Sequence, residues 1–265
     1  MTLGQTKFET LILEEKQNVL RIILNRPDKM NALNAEMYGD LHSVLDRVER
    51  SCEYRVLIFT GSGKAFCAGG DIQDLSRAAA TLEGAQARLR FSHLFAKRLR
   101  GLKQPVIMAV NGAAVGAGFS LALNGDLIIA SETARFGASF LRVGLIPDMG
   151  CIHNLVHLVG TSRACELAFM ADIFDAEQAK KIGVVNQVVR REELDRVAEE
   201  WAQKMANFPF LALSLLKKAI YKAQEMSFFA ELEDEINLQS LCLLSKDGKE
   251  GLEAFLEKRN PSFNT

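Results

Sequence analysis

Two glycine-rich turns, each entered from a β-branched run and left through a helical one, restrict this chain to a fold in which strands hand over to helices. The first turn is Gly61-Ser62-Gly63-Lys64-Ala65-Phe66-Cys67-Ala68-Gly69-Gly70-Asp71, entered from residues 55–60 and followed by a helix from about Ile72. The second is Asn111-Gly112-Ala113-Ala114-Val115-Gly116-Ala117-Gly118, entered from residues 105–110 and left through a helix over 117–123. Glycine lets backbone N–H groups come close to a ligand. Two such turns can aim two amides at one oxygen, as an oxyanion hole does. Neither turn has nucleotide spacing. A phosphate-binding loop needs Gly three residues before Gly61 and Ser or Thr after Lys64, where this chain has Ile58 and Ala65. A dinucleotide fingerprint begun at Gly116 needs a third glycine where Leu121 stands.

The remaining pattern alternates strands and helices. Residues 8–13 and 19–24 predict a strand pair, and Asn34 caps a helix over 35–50 whose Met37, Leu41, Val44, Leu45 and Val48 form one apolar stripe. A helix over 85–102 and strands over 126–130, 134–136 and 184–189 follow. Between them lie a loop over 144–150, a helix over 152–159, a second helix capped by Thr161, and a capping box of Asp175 with Gln178. From Glu192 onward the pattern is helical only: 193–206, 212–222, 229–244 and 249–259. The expectation is an α/β fold with a helical C-terminal module, divided as 1–195 and 196–265. Phe228, Phe229, Leu232, Ile236, Leu241, Leu243 and Leu244 are many apolar residues for an appendage, which favours contacts with other subunits.

A formal net charge of −1 argues against a protein devoted to nucleic acid or anionic membranes. Cys52, Cys67, Cys151, Cys165 and Cys242 are odd in number and lack CxxC spacing, as expected of reduced thiols in a cytosol-like compartment. The first eleven residues carry Lys7 and Glu9 without a long apolar run, the last four are not a peroxisomal ending, and no apolar stretch reaches membrane-spanning length. A cytoplasmic protein is expected.

Other chemistry-bearing residues read as structure. His153 and His157 are spaced i, i+4, but Asn154 replaces the glutamate of HExxH, so a helix-surface pair is favoured over a metal site. Arg88, Arg90, Lys97, Arg98, Arg100 and Lys103, around Phe91 and Phe95, read as a solvated helix face before a phosphate-binding one. Ser120 lacks the G-x-S-x-G frame and a partner histidine. Asp148, within Leu145-Ile146-Pro147-Asp148-Met149-Gly150, divides evenly between two roles. Apolar surroundings would raise its pKa and make it a proton shuttle. Equally, it can be a turn or helix-capping aspartate before residues 151–159.

Taken together, Asn25-Arg26-Pro27 with Asn31-Ala32-Leu33, Ala65–Asp71, Pro105-Val106-Ile107, Asn111-Gly112, Gly116-Ala117-Gly118, Gly183 and the ending Ala254-Phe255-Leu256-Glu257-Lys258-Arg259 resemble the crotonase (enoyl-CoA hydratase/isomerase) superfamily over nearly the whole chain. The resemblance implies a spiral of ββα units of ClpP/crotonase type, a C-terminal helical trimerisation module, and trimers or dimers of trimers. It implies acyl-CoA thioester substrates, coenzyme A entering as part of the substrate, and no prosthetic group. Carried over, Gly70 and Ala117 supply the oxyanion amides, the alanine methyl at 117 narrowing the site. Ala68 meets the adenine with its backbone, alongside Gly69, Asp71, Ile72 and Phe140 as substrate-binding positions. Lys29, Phe255 and Lys258 lie near the cofactor phosphates and adenine.

The departures from that pattern bear on the reaction. Hydratases of the family add water with two glutamates, and Ser120 and Phe140 occupy their places; neither side chain can act as a base on water. Isomerases of the family can carry a single acid later, where Asp148 falls. Phe140–Asp148, with Ser120-Leu121-Ala122-Leu123 before it, looks most like the ring-epoxide (1,2-epoxyphenylacetyl-CoA) isomerase branch, and Δ3,Δ2-enoyl-CoA isomerases are also similar. The expectation is an acyl-CoA isomerase with Asp148, Gly70 and Ala117 as catalytic groups. A hydratase of the same family is the nearer alternative, and a non-catalytic RNA- or protein-binding trimer the farther one.

Overall fold

The computed structural model describes residues 8–51 and 53–263. Cys52 and the readings that concern residues 1–7 and 264–265 lie outside them. Strands β1 (Leu11–Lys16) and β2 (Val19–Leu24) form an antiparallel hairpin, and α1 (Ala35–Arg50) follows, with the Asn34 side chain accepting the Met37 amide as predicted. β1 begins and ends three residues later than the apolar pattern indicates. The chain reverses in two residues, with Gln17 at φ 51°.

Next come β3 (Val56–Gly61), β4 (Ala65–Cys67), α2 (Ile72–Ala78) and α3 (Leu82–Gly101), then β5 (Val106–Val110), β6 (Ala113–Val115) and α4 (Ala117–Leu123). β7 (Leu127–Ser131), β8 (Arg135–Gly137) and α5 (Cys151–Met170) follow, and then β9 (Phe174–Asp175), α6 (Ala176–Lys181) and β10 (Gln187–Val189). The three central turns of the chain, begun by β3, β5 and β7, thus each contribute one long strand, one short strand and helix. The long strands, with the three-residue β10 at one edge, stack as a sheet in the order β1-β2-β3-β5-β7-β10, parallel from β2 onward, and the other short ones stack as β4-β6-β8-β9. This is the expected spiral of ββα units.

The second sheet corrects the reading of the glycine segments as plain turns. Each contains a three-residue strand, and β4 pairs with β6 in parallel. Two buried asparagines make the corner between a long strand and its short partner. The Asn111 carboxamide accepts the Gly61 amide at 3.0 Å and donates to Gly63 and Ala65 carbonyls. Asn31 donates to the carbonyls of Ser62 and Ala65 at 2.9 and 2.8 Å. Backbone groups at these corners are therefore satisfied by side chains from neighbouring turns of the spiral.

Alternation along the long strands splits the core. Leu57, Phe59, Val106, Met108 and Val110 join the main core with α1, α3 and α4, while Val56, Ile58, Ile107, Ala109 and Ile129 face Leu194, Val197, Ala198, Ala202 and Ala206. These last belong to α7 (Leu194–Ala206), so the helix that spans the expected division packs directly on the sheet. α8 (Phe210–Ala223) is fixed by Lys217, whose buried ammonium lies 2.7 Å from Asp126. α9 (Phe228–Leu244) has no buried residue, and α10 (Lys246–Glu257) packs against it. The capping box of Asp175 and Gln178 is present, while the break inside α5 falls at Gly160 (φ 75°), one residue before Thr161. No helix among the described residues is long and apolar enough to cross a membrane.

Candidate active site

Because β4 and β6 are neighbours, the ends of the two glycine segments meet. Gly69 lies at φ 118°, and a Cβ there would stand 3.1 Å from the Val115 carbonyl oxygen and 3.7 Å from the Ala117 nitrogen. Gly116 takes φ 56° at the start of α4, a left-handed conformation that suits glycine. Leu33 then aims the first turn. Its amide donates to Gly69 at 2.8 Å and its carbonyl accepts from Asp71 at 2.9 Å, so the intervening Gly70 amide faces the other way. Ala117 is the first residue of α4 and has no partner within the helix. Among the described residues, neither the Gly70 nor the Ala117 N–H donates to a carbonyl of the surrounding turns.

Asp148 stands on the loop before α5. It is half-buried, and its Oδ1 is shut off from solvent with no hydrogen-bond partner. Burial pushes its carboxyl above the usual range, against the opposing pull of His93, when its imidazole carries a second proton, and of Arg88. It does not cap the helix: the N-cap of α5 is Gly150 at φ 78°, with no side-chain hydrogen bond. The helix-capping alternative therefore falls, while the turn is present: the Cys151 amide donates to the Asp148 carbonyl at 3.0 Å, which leaves the carboxylate uncommitted.

Arg88 joins the two parts of the site. Its Nη2 donates to the Leu33 carbonyl at 3.3 Å and lies 3.8 Å from where a Gly70 Cβ would be, and its charge reaches Asp148. Its Nε pairs with Asp74 at 2.9 Å. Tyr38, Asp74, Arg88 and Phe91 line a cleft of about 580 Å³ beside it. Cys67 and Cys151 are buried thiols pushed up to about 12 by desolvation, so neither supplies a thiolate near neutral pH.

Ser120 is fully buried and its hydroxyl leans on the Gly116 carbonyl at 3.4 Å; Phe140 is also buried. Asp71 spends its carboxylate on capping α2 and on Arg26 at 3.0 Å. Its burial pulls the pKa up, but Arg26 and the Gln73 and Asp74 amides outweigh that and hold it below the ordinary range. Ala68 donates its amide to Met30, and Ile72 and Lys29 are exposed beside the same turn. Phe255 and Lys258 stand exposed on and just after α10; among the described residues no hydrogen bond or ion pair links them to Lys29. Phe119 is wholly buried against Phe136 and Phe174 and so does not face the site.

Tyr38, Arg88, His93 and Cys151 are the neighbours of Asp148 that sequence reasoning missed. Tyr38 sits beside the apolar stripe of α1, and Arg88 was hidden in the basic cluster. That cluster disperses in the fold: Arg98 pairs with Asp46 and Glu49, while Arg100 bonds Asn154 and stacks over Tyr221. His153 and His157 stack at 4.2 Å on one exposed helix face. A separate cavity of about 420 Å³ under α8 holds Lys217, Asp126 and Tyr221, which satisfy one another.

The family model described as "Enoyl-CoA hydratase/isomerase" matches residues 14–265. The chain is 38% identical over 257 residues to the 1,2-epoxyphenylacetyl-CoA isomerase of Escherichia coli K12, covering 96% of this chain and 98% of that one. It is 35% identical over 254 residues to the short-chain-enoyl-CoA hydratase of Clostridium acetobutylicum, covering 96% and 97%. The crystal structure of the enoyl-CoA hydratase from Bacillus anthracis superposes with a TM-score of 0.92 at 32% identity, covering 96% and 99%.

Proposed function

Because the chain belongs to the enoyl-CoA hydratase/isomerase family, we propose that it is an acyl-CoA isomerase, shifting a double bond from 3-enoyl-CoA to 2-enoyl-CoA or isomerising a ring epoxide through a thioester enolate. The observation that carries this reading is Asp148, a carboxylate with a buried, unpartnered oxygen, in a chain with Ser120 and Phe140 where the family resemblance implies the hydratase glutamates. The Gly70 and Ala117 amides hold the thioester oxygen as loss of the C2 proton turns it into an enolate oxygen. Each such donor is worth roughly 3–4 kcal/mol of barrier. Asp148 takes the C2 proton and returns it at C4, so one carboxylate serves both transfers. Hydration needs a second group to hold water, and the buried Phe140 and Met149 oppose water entry.

Coenzyme A arrives as part of the substrate. Its adenine is assigned to the Ala68 backbone, with Gly69, Asp71 and Ile72 along the same stretch, and its phosphates to the neighbourhood of Lys29, Phe255 and Lys258. The working compartment is the cytoplasm. A panel of thioesters tests the assignment: 3-enoyl-CoA should give 2-enoyl-CoA without water uptake. Rapid hydration of 2-enoyl-CoA, with no double-bond shift, would establish a hydratase instead.

The bare face of α9, with Phe228 69% and Phe229 77% exposed, is assigned to contacts between copies in a homotrimer or dimer of trimers. Sedimentation at micromolar protein should show the three- or six-fold mass. A monomer under those conditions would overturn the assembly.

A further inference from the structure

A general base must be held close to its working position, yet Asp148 Oδ1 has no hydrogen bond to hold it. What is held is the next residue. Met149 lies at φ 52°, a left-handed conformation that costs a non-glycine residue about 1–3 kcal/mol and persists only where its surroundings impose it. Three contacts from three helices impose it here. The Met149 amide donates to His93 Nε2, on α3, at 3.3 Å. Its carbonyl accepts from Asn124 Nδ2, at the end of α4, at 2.8 Å, and its sulfur accepts from the Tyr38 hydroxyl, on α1, at 3.0 Å. Tyr38 and Asn124 are buried, and Asn124 Nδ2 also donates to the Ser120 carbonyl at 2.7 Å. His93 is exposed, so it is the member of the clamp that can be altered without opening the core.

We propose that His93 is a positioning residue for the isomerisation, holding the Asp148 carboxylate at the reacting carbons through the strained backbone of Met149. The inference rests on Asp148 being the proton shuttle. Accepting at Nε2 puts the imidazole proton on Nδ1. An ordinary surface histidine would tolerate loss of that lone pair, whereas this one fixes the peptide next to the base. Freed, the Met149 peptide can relax out of its left-handed conformation and carry the carboxylate with it. Misplacement of a reacting group by about 1 Å can cost on the order of 100-fold in rate.

The test compares His93→Leu, which has no acceptor, with His93→Gln, whose Oε1 can take the same N–H. In His93→Leu, kcat for the double-bond shift should fall by about 10- to 100-fold, with KM and thermal midpoint close to the parent. His93→Gln should recover most of that loss, a rescue that loss of packing alone would not give. Parental kcat in His93→Leu, or equal losses in both variants, would overturn the positioning role. Asp148→Asn, assayed alongside, separates the two layers. If it is inactive while His93→Leu is normal, only this inference fails. Turnover in Asp148→Asn would remove the shuttle and this inference with it.

Discussion

Asp148→Asn should lower turnover of the double-bond shift on the order of 10³-fold or more, with little change in acyl-CoA affinity. Asparagine keeps the shape of the side chain but cannot take the C2 proton, while the Gly70 and Ala117 amides and the coenzyme A contacts stay intact. The pH profile gives the same residue a second signature. Burial raises the Asp148 carboxyl, opposed by Arg88 and by His93 when its imidazole carries a second proton, and the base works only when ionised. kcat/KM should therefore fall as pH drops through a value above the ordinary carboxylate range, and that limb should vanish in Asp148→Asn. Stability should move the opposite way to activity. A carboxyl whose pKa is higher folded than unfolded contributes stability below the unfolded pKa that is lost as pH rises through the folded one. At neutral pH the Asn variant should melt above the parent. Near-parental turnover would end the assignment of Asp148 as the base.

Why Asp148 was legible only halfway follows from where its neighbours come from. Pro147 and the apolar residues around it signal a constrained, desolvated carboxylate, but a capping aspartate shows the same local sequence. Gly150 taking the N-cap, and an Oδ1 without a partner, remove the capping role, and both depend on the loop's conformation. Tyr38, Arg88 and His93 reach Asp148 from α1 and α3, helices that local periodicity can find but cannot dock. Local signals did well where the cause is local: Asn34 caps α1, and Asp175 and Gln178 close their box. They failed at β4 and β6. Three residues carry no readable alternation, and these strands exist because successive turns of the spiral place them side by side. The two corner asparagines, Asn31 and Asn111, likewise look like ordinary turn residues until their carboxamides are seen bridging separate segments.

Gly118→Ala should be among the most damaging single changes in the chain, although it adds one methyl group. That methyl would stand 1.9 Å from the Cys67 carbonyl oxygen and 2.7 Å from its carbon. Both atoms are backbone of β4 and cannot swing aside, so α4 and β4 must separate. Overpacking of this kind costs roughly 1–3 kcal/mol and more where the neighbour is rigid. The Ala117 amide is carried on α4 and the Gly70 amide on the segment leaving β4, so the same displacement pulls the two donors apart. A loss on the order of 100-fold in kcat is expected even in molecules that stay folded. Gly39→Ala is the matched control. It lies inside α1 with nothing within 4 Å of the new Cβ, and alanine there should stabilise the helix by about 0.5–1 kcal/mol without touching rate. Thermal midpoints and single-turnover rates for the pair measure both effects. A Gly118→Ala protein with parental midpoint and rate would mean that the two glycine segments are independent turns, and the oxyanion site would then need a different pair of donors.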